Sequence, residues 1–332
     1  MSEKMHAAIT AVGHYVPPDI LDNSYFTDVL KLETSDEWIK TRTGIRERHV
    51  LKNGATSDLA VPAIQMALNA RGIAPMELDC IIVATVTPDR MFPPTACIIQ
   101  ERIGAKRAWG FDIEAACSGF LFALTTGASF IESGRYKKVL VVGADKMTSI
   151  TDYTDRNNCI LFGDAGAAVL LEPTVEPAGV LDSILYCDGA GEPYLHMVAG
   201  GSLHPPSHET VEKRQHYMFQ DGKAVFKVAV VGMADVSEEL MKRNNLKAED
   251  VSWLVPHQAN LRIIKACAER MGLDMSKVMI NIDKYGNTTA ATIPMCLSEW
   301  QQAGKLTKGM NIVLSSFGAG YTWGATYVKW AY

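Results

Sequence analysis

Three residues combine a reactive or polar side chain with a setting that suits one kind of chemistry. Cys117 stands in Phe111-Asp112-Ile113-Glu114-Ala115-Ala116-Cys117-Ser118-Gly119-Phe120, where the strand-like run Trp109 to Ile113 passes into a helical stripe at Leu121, Leu124, Ala128 and Ile131. At a helix start, unpaired N–H groups and the helix dipole favour a thiolate, so the spacing predicts a reactive sulfur. A buried structural cysteine fits the same stretch. His257 lies in Pro256-His257-Gln258-Ala259-Asn260, a polar turn between the strand Ser252 to Val255 and a helix carrying Ile263, Ile264 and Ala268. Asn287 opens a helix (Ala290 to Gln302) from its own Gly-Asn-Thr-Thr turn. A thiolate accepts an acyl group, and an imidazole and a carboxamide aimed at one oxygen stabilise an enolate. Papain-like proteases also use Cys, His and Asn, but there the Asn only orients the His. Asn287, at its own helix start, suits direct contact with substrate.

The elements that must hold these residues form a hidden repeat. In the first half Cys117 opens a helix ending at Gly134; a basic turn and the strand Val139 to Val142 follow. In the second, Asn287 opens a helix ending at Gly304; a basic turn with Lys305 and Lys308 and the strand Ile312 to Leu314 follow. Each glycine falls 17 residues after its partner, which makes Asn287 the expected counterpart of Cys117. Phe162-Gly163-Asp164-Ala165-Gly166 and Phe317-Gly318-Ala319-Gly320 each lead into a final apolar strand. Alternating strands and helices, duplicated, predict two similar α/β halves, 1–173 and 174–332, packed around a common middle layer. Strand-to-helix turns are where α/β sheets place ligands. Outside this frame, Ala7 to Val12 reads as a strand and Ser57 to Ala70 as a helix capped by Ser57. The stretch Gly189 to Gln215 reads as a long excursion.

Composition narrows the classes. The chain has 332 residues, 48% hydrophobic and 21% charged, with a formal charge of −5, which argues against nucleic acid as a partner. Its seven cysteines show no C-x-x-C, which fits a reducing cytoplasm without a disulfide framework or zinc cluster. His204 and His208 flank Pro205-Pro206 with no nearby Cys or Asp, so no metal site is read there. No signal peptide or membrane span is read. Gly318-Ala319-Gly320-Tyr321-Thr322-Trp323-Gly324 lacks the following helix and acidic residue of a dinucleotide site. The P-loop and serine-hydrolase motifs are absent. Trp38 and Arg42, four apart on a short helix capped by Thr34 or Ser35, set an aromatic plane beside a guanidinium, a pairing suited to a nucleotide or to plain core packing.

With these residues assembled, the chain resembles the β-ketoacyl-acyl-carrier-protein synthase III family, the initiating condensing enzymes of bacterial fatty-acid synthesis. The resemblance runs end to end. It rests on Ser35-Asp36-Glu37-Trp38-Ile39 with Thr41-Arg42-Thr43-Gly44-Ile45, on Ala115 to Phe120 and on Phe162-Gly163-Asp164. In the second half it rests on Pro256 to Ile263, Gly286-Asn287-Thr288-Thr289-Ala290 and Ser316 to Gly320. It implies a duplicated thiolase-like fold of five layers, αβαβα, in a homodimer. Cys117 is then the acyl acceptor, His257 and Asn287 the enolate pair, and the N–H groups of Cys117 and Ala319 the oxyanion hole. The resemblance gives Trp38, Arg42 and Arg156 to the adenine nucleotide of coenzyme A and Asn260 to its pantetheine arm. Phe317 is assigned to the acyl pocket, and Phe92 resembles a residue that reaches into the pocket of the partner subunit. Lys227, Arg262, Lys265 and Arg270 are candidates for docking an acidic carrier protein, although Glu269 stands where lysine is common. The implied substrates are a short acyl-CoA, acetyl-CoA for preference, and malonyl-acyl carrier protein, with no cofactor beyond the thioester. Two rivals remain: a starter-unit or secondary-metabolite synthase, such as an alkylquinolone or polyketide enzyme, and a binding protein on a degenerate thiolase-like fold.

Overall fold

Runs of Val, Ile, Leu and Ala bounded by turn residues become the strands of one sheet in a computed structural model that describes residues 4–332. Among the described residues nine strands form this sheet. In chain order they are β1 His6–Tyr15, β2 Cys80–Ala84, β3 Trp109–Ile113, β4 Val139–Asp145, β5 Ala165–Thr174, β6 Gly179–Cys187, β7 Trp253–Pro256, β8 Asn311–Gly318 and β9 Thr322–Lys329. Their spatial order is β7-β8-β9-β6-β1-β5-β4-β2-β3. Strands β2, β3 and β4 pair in parallel, as do β7 and β8, and the remaining pairs are antiparallel. Every residue of β2 and β4 is buried, as expected for parallel strands covered on both faces.

The helices of two turns or more are α1 Asp36–Thr43, α2 Thr56–Arg71, α3 Thr95–Ile103, α4 Gly119–Glu132, α5 Gly222–Arg243, α6 Leu261–Arg270 and α7 Thr292–Gln302. Alternation along the strands assigns them to layers. In β4, Leu140 and Val142 pack with α2 and α3 on one side, while Val139 and Val141 face α4 and α7. In β8, Ile312 and Leu314 face α4 and α7, while Val313 packs with α5 and α6. The order is therefore helices, sheet, the α4–α7 layer, sheet, helices: five layers, αβαβα.

The repeat has a constant step. Cys80 pairs with Val139 in the first half, and Trp253 pairs with Ile312 in the second, 173 residues on in each case. Ala7 pairs with Val180 across the β1–β6 seam, so two residues related by the same step meet each other. One expectation needs correction here. Tight 3-10 turns at Ala116–Ser118 and Thr289–Ala291 precede α4 and α7, and each opens on a left-handed residue, Ala116 at φ 47° and Thr289 at φ 53°. The counterpart of Cys117 is therefore Ala290, and Asn287 lies three residues upstream of it. The equal distances to Gly134 and Gly304 misled because α7 is shorter than α4, 11 residues against 14.

The cap of α2 also differs from expectation. The N-cap position is Ala55, whose N–H donates to the Asp58 carboxylate at 2.7 Å, while the Ser57 hydroxyl is engaged with Asp89 at 2.6 Å. The excursion 189–215 holds a 3-10 turn at Gly189–Tyr194, a strand Leu195–Met197 paired with Met218–Gln220, and a short helix His208–Glu212. Arg214 ties it to Asp152 at 2.9 Å. No described helix is long and apolar enough to cross a membrane.

Candidate active site

A cavity of about 1720 Å³ runs from Trp38 and Arg42 inward to Cys117, His257 and Asn287, bounded on one side by the excursion through Met197, Gly200 and Gly201. Cys117 and His257 sit on backbone that follows a strand, whereas Asn287 follows the short helix Ile282–Tyr285. Cys117 comes four residues after β3, in the turn that Ala116 opens. The Ser316 hydroxyl donates to the Cys117 carbonyl at 2.8 Å, and the Thr322 hydroxyl donates to the Ala115 carbonyl at 2.9 Å, so the second half clamps the first half's nucleophile turn. A Cβ on Gly318 would lie 2.7 Å from the Cys117 nitrogen, which requires glycine there.

His257 directly follows β7, and its N–H continues the ladder to the Ser315 carbonyl at 2.7 Å. Buried Gln258 fixes that turn with a fully used amide. Its Nε2 donates to the Pro256 and Met279 carbonyls at 2.8 and 3.1 Å, and its Oε1 accepts from the Asn281 and Ile282 N–H groups at 3.1 and 3.2 Å. Asn287 is held by the 161–163 segment: its N–H donates to the Leu161 carbonyl at 2.8 Å, and its own carbonyl accepts from the Gly163 N–H at 3.1 Å. The side-chain Oδ1 of Asn287 accepts from the Thr289 N–H at 2.9 Å. That bond fixes the carboxamide's orientation and leaves Nδ2 as its donor face.

The electrostatics overturn one expectation. Cys117 keeps some exposure to the cavity, but packed protein pushes its thiol up to about 12. The Asp145 carboxylate adds to that rise, while the Cys117 backbone N–H and the Asn287 side chain act the other way. The resting sulfur is a thiol, because desolvation outweighs the helix-start effect that favours a thiolate. Burial alone pushes His257 down to about 3, so its imidazole is neutral. Asp145, at the end of β4, is fully buried and pushed up to about 6 by desolvation. It accepts from the Thr85 and Thr87 hydroxyls at 2.9 Å each and from the Val86 N–H at 2.8 Å.

The outer residues divide. Arg42 and Arg156 lie over the Trp38 ring at 5.6 and 5.5 Å, with Arg156 also donating to the Glu33 carbonyl at 2.6 Å. Ser35, not Thr34, caps α1. Asn260 lines the cavity, yet its side chain is occupied: Oδ1 caps α6 at the Arg262 N–H (2.9 Å) and Nδ2 donates to the Arg42 carbonyl (3.0 Å). Phe317 lines the cavity wall against Tyr321, 4.9 Å between ring centroids. Ala319 lines it too, next in sequence to Gly318, which packs against the Cys117 nitrogen. Phe92 is 83% exposed and contributes nothing to the cavity of its own chain. Arg262 lies 4.5 Å over the Phe226 ring at the mouth, and Lys227 and Lys265 are exposed nearby. Arg270 is exposed and paired with Asp235 at 2.7 Å and Glu238 at 3.5 Å.

Comparison with known proteins accounts for this arrangement. The family pattern described as 3-oxoacyl-[acyl-carrier-protein (ACP)] synthase III matches residues 111–189, and its C-terminal counterpart matches residues 241–330. A β-ketoacyl-[acyl-carrier-protein] synthase III of Chlorobium phaeovibrioides is 58% identical over 98% of this chain and 100% of its own length. The chain belongs to the β-ketoacyl-[acyl-carrier-protein] synthase III family. As a member it is a condensing acyltransferase with a thiolase-like fold. The crystal structure of the Aquifex aeolicus synthase III superposes with a TM-score of 0.90 at 40% identity, covering 98% of this chain and 100% of that one. A priming β-ketosynthase from the R1128 polyketide pathway superposes at 0.91 with 32% identity, covering 100% and 98%.

Several residues around the cavity have roles that no motif marks in the sequence. Gln258 sits inside a quoted motif, but its bonds join segments 21 to 24 positions apart. Asp145 offered one signal, as the first charge after the apolar run Val139 to Ala144. Lys223, at the start of α5, lines the cavity mouth four residues before Lys227, with no motif in the sequence to mark it.

Proposed function

We propose that this enzyme carries out the decarboxylative condensation that opens fatty-acid synthesis, joining a short acyl-CoA primer, acetyl-CoA for preference, to malonyl-acyl carrier protein. The carrying observation is the convergence of Cys117, His257 and Asn287 on one cavity that extends outward to the Trp38 and Arg42 pair. Its volume of about 1720 Å³ exceeds the roughly 300–1,000 Å³ of ordinary ligand pockets and suits a long thioester.

In the first half-reaction the Cys117 sulfur attacks the acyl-CoA carbonyl. The N–H groups of Cys117 and Ala319 receive the oxyanion, the C–S bond to CoA breaks, and the thiol proton is balanced by release of CoA as a thiol. Trp38, Arg42 and Arg156 hold the nucleotide end of CoA. Asn260 shapes the path of the pantetheine arm through its two structural bonds, and Phe317 closes the acyl pocket. In the second half-reaction the malonyl thioester oxygen lies between His257 Nε2 and Asn287 Nδ2. Carbon dioxide leaves, its bonding pair becomes the enolate, and the enolate carbon attacks the acyl group on Cys117. The sulfur departs and takes up one proton from solvent. Neutral donors in a closed site suit a short-lived anion, because they need no reorganisation as charge develops. The thioester supplies all the reactive chemistry, so the reading calls for no metal or other cofactor.

Residues 1–173 and 174–332 act as two halves, the first bringing the nucleophile and the second the enolate pair. A cytoplasmic homodimer completes the reading. The dimer is supported by the free outer edge of β3, by Trp109 at 43% exposure and by Met91 and Phe92 at 79% and 83%. Lys227, Arg262 and Lys265, joined by Lys223, form the docking face for the acidic carrier, with Arg270 outside it. The polyketide reading is weaker, since identity to the Chlorobium enzyme exceeds that to the R1128 enzyme.

The test uses labelled acetyl-CoA and malonyl-acyl carrier protein. Cys117→Ala should take up no covalent label. His257→Ala and Asn287→Ala should still be labelled at Cys117 and should lose decarboxylation by about 10²–10³-fold. Stoichiometric labelling of the Cys117→Ala protein, or wild-type condensation by either enolate-pair variant, would refute the assignment. A primer panel read by mass spectrometry identifies the acyl chain.

A further inference from the structure

His257 is the residue whose hydrogen-bond polarity the enolate chemistry depends on most. A neutral imidazole carries one hydrogen, and the nitrogen that holds it donates while the other accepts. Here Nδ1 has a single partner, the Thr292 hydroxyl at 2.8 Å, and Nε2 has none, although His257 lines the cavity. Both residues are 1% exposed, so water does not choose between the tautomers. The choice belongs to Thr292, the first residue of α7.

Two arrangements satisfy the 2.8 Å contact. In one, Nδ1–H donates to Thr292 Oγ1, and the hydroxyl hydrogen turns to the Thr289 carbonyl at 3.1 Å. Nε2 then presents a lone pair to the cavity, and a lone pair repels a developing oxyanion. In the other, the hydroxyl donates to Nδ1 and the ring hydrogen sits on Nε2. The Thr289 carbonyl loses nothing in that case, since the Thr292 backbone N–H already donates to it. The contact to Nδ1 is also the shorter of the hydroxyl's two, 2.8 against 3.1 Å. We propose that Thr292 is a positioning residue that donates its hydroxyl hydrogen to His257 Nδ1 and thereby keeps the ring hydrogen on Nε2, aimed at the malonyl thioester oxygen. The inference rests on the reading of His257 and Asn287 as the enolate pair. Asn287 is handled in the same way, its Oδ1 being occupied by the Thr289 N–H so that Nδ2 faces the substrate. One short segment, 289–292, thus orients both donors.

The direct measurement is the nitrogen spectrum of the wild-type protein carrying ¹⁵N-histidine. The inference expects His257 Nε2 with a bonded hydrogen and Nδ1 without one, and the reverse pattern overturns it. Variants supply a second readout. Thr292→Val keeps the shape and removes the donor, so the ratio of malonyl decarboxylation to Cys117 acylation should fall about 10- to 100-fold, less than the full loss of a donor. Thr292→Ser, which keeps the hydroxyl, should restore the ratio to within a few-fold of wild type. An unchanged ratio in the Val variant, or an equal loss in the Ser variant, overturns the role of Thr292. Wild-type decarboxylation by His257→Ala would instead show that the enolate pair itself was misassigned. Should the Val variant fail to fold, the wild-type spectrum and the Ser variant still decide.

Discussion

Cys117 illustrates how two local influences on one sulfur are weighed. Its place before α4 favours a thiolate, and its burial beside Asp145 favours a thiol and prevails at about 12. Each pH unit corresponds to about 1.4 kcal/mol, so ionising the free enzyme's sulfur at pH 7 costs on the order of 7 kcal/mol. Deprotonation must therefore accompany substrate attack rather than precede it. Alkylation of Cys117 by iodoacetamide, followed by mass spectrometry, should rise about tenfold per pH unit from 7 to 10 without a plateau. A plateau near neutrality would contradict the burial argument. Asp145→Asn removes the carboxylate that opposes the thiolate and should speed alkylation several-fold across that range.

At the scale of elements, the site depends on how closely the turn Thr289–Ala291 before α7 approaches β4. Gly143 makes that approach possible, because a Cβ there would collide with the Ala290 carbonyl oxygen. Gly143→Ala should lower stability by about 1–3 kcal/mol, seen as a lower urea midpoint. It should also impair decarboxylation more than acylation, since the displaced 289–292 segment orients Asn287 and His257 but not Cys117. Equal loss of both half-reactions would mean the wedge disturbs the whole middle layer. On the opposite face, α5 and α6 offer a direct contrast. Arg262→Glu should weaken carrier binding and its salt dependence, whereas Arg270→Glu should leave both nearly unchanged, because Asp235 and Glu238 already hold that guanidinium. Titrating each variant with malonyl-acyl carrier protein at two ionic strengths separates them.

For the whole molecule, two buried groups oppose each other in acid. His257 has a folded value of about 3 against an ordinary 6.5, so its contribution is present above 6.5 and is lost as pH falls towards 3. Asp145 has a folded value of about 6 against 3.8, so its contribution grows as pH falls from 6 to 3.8. Between about pH 6 and 4 the two slopes nearly cancel. Asp145→Asn should steepen the acid loss by about 1.4 kcal/mol per pH unit relative to wild type, and His257→Asn should reverse its sign by a similar amount. Urea unfolding at about pH 4.5 and 6 measures both. Much of the architecture behind this balance was legible from the chain alone. Apolar runs mark β2, β4 and β8, residue type together with a strand-to-helix position marks Cys117 and His257, and the Gly-Asn-Thr-Thr turn marks Asn287, which the structure places after a short helix instead. Those features are written in local periodicity and turn chemistry, which act over a few residues. The burial of Cys117, the Ala290 counterpart, the occupied side chains of Asn260 and Arg270, and the contact of His257 with Thr292 were decided only by the tertiary structure. Each depends on groups far apart in sequence being brought within about 3 or 4 Å, where burial and hydrogen bonding outweigh local preference.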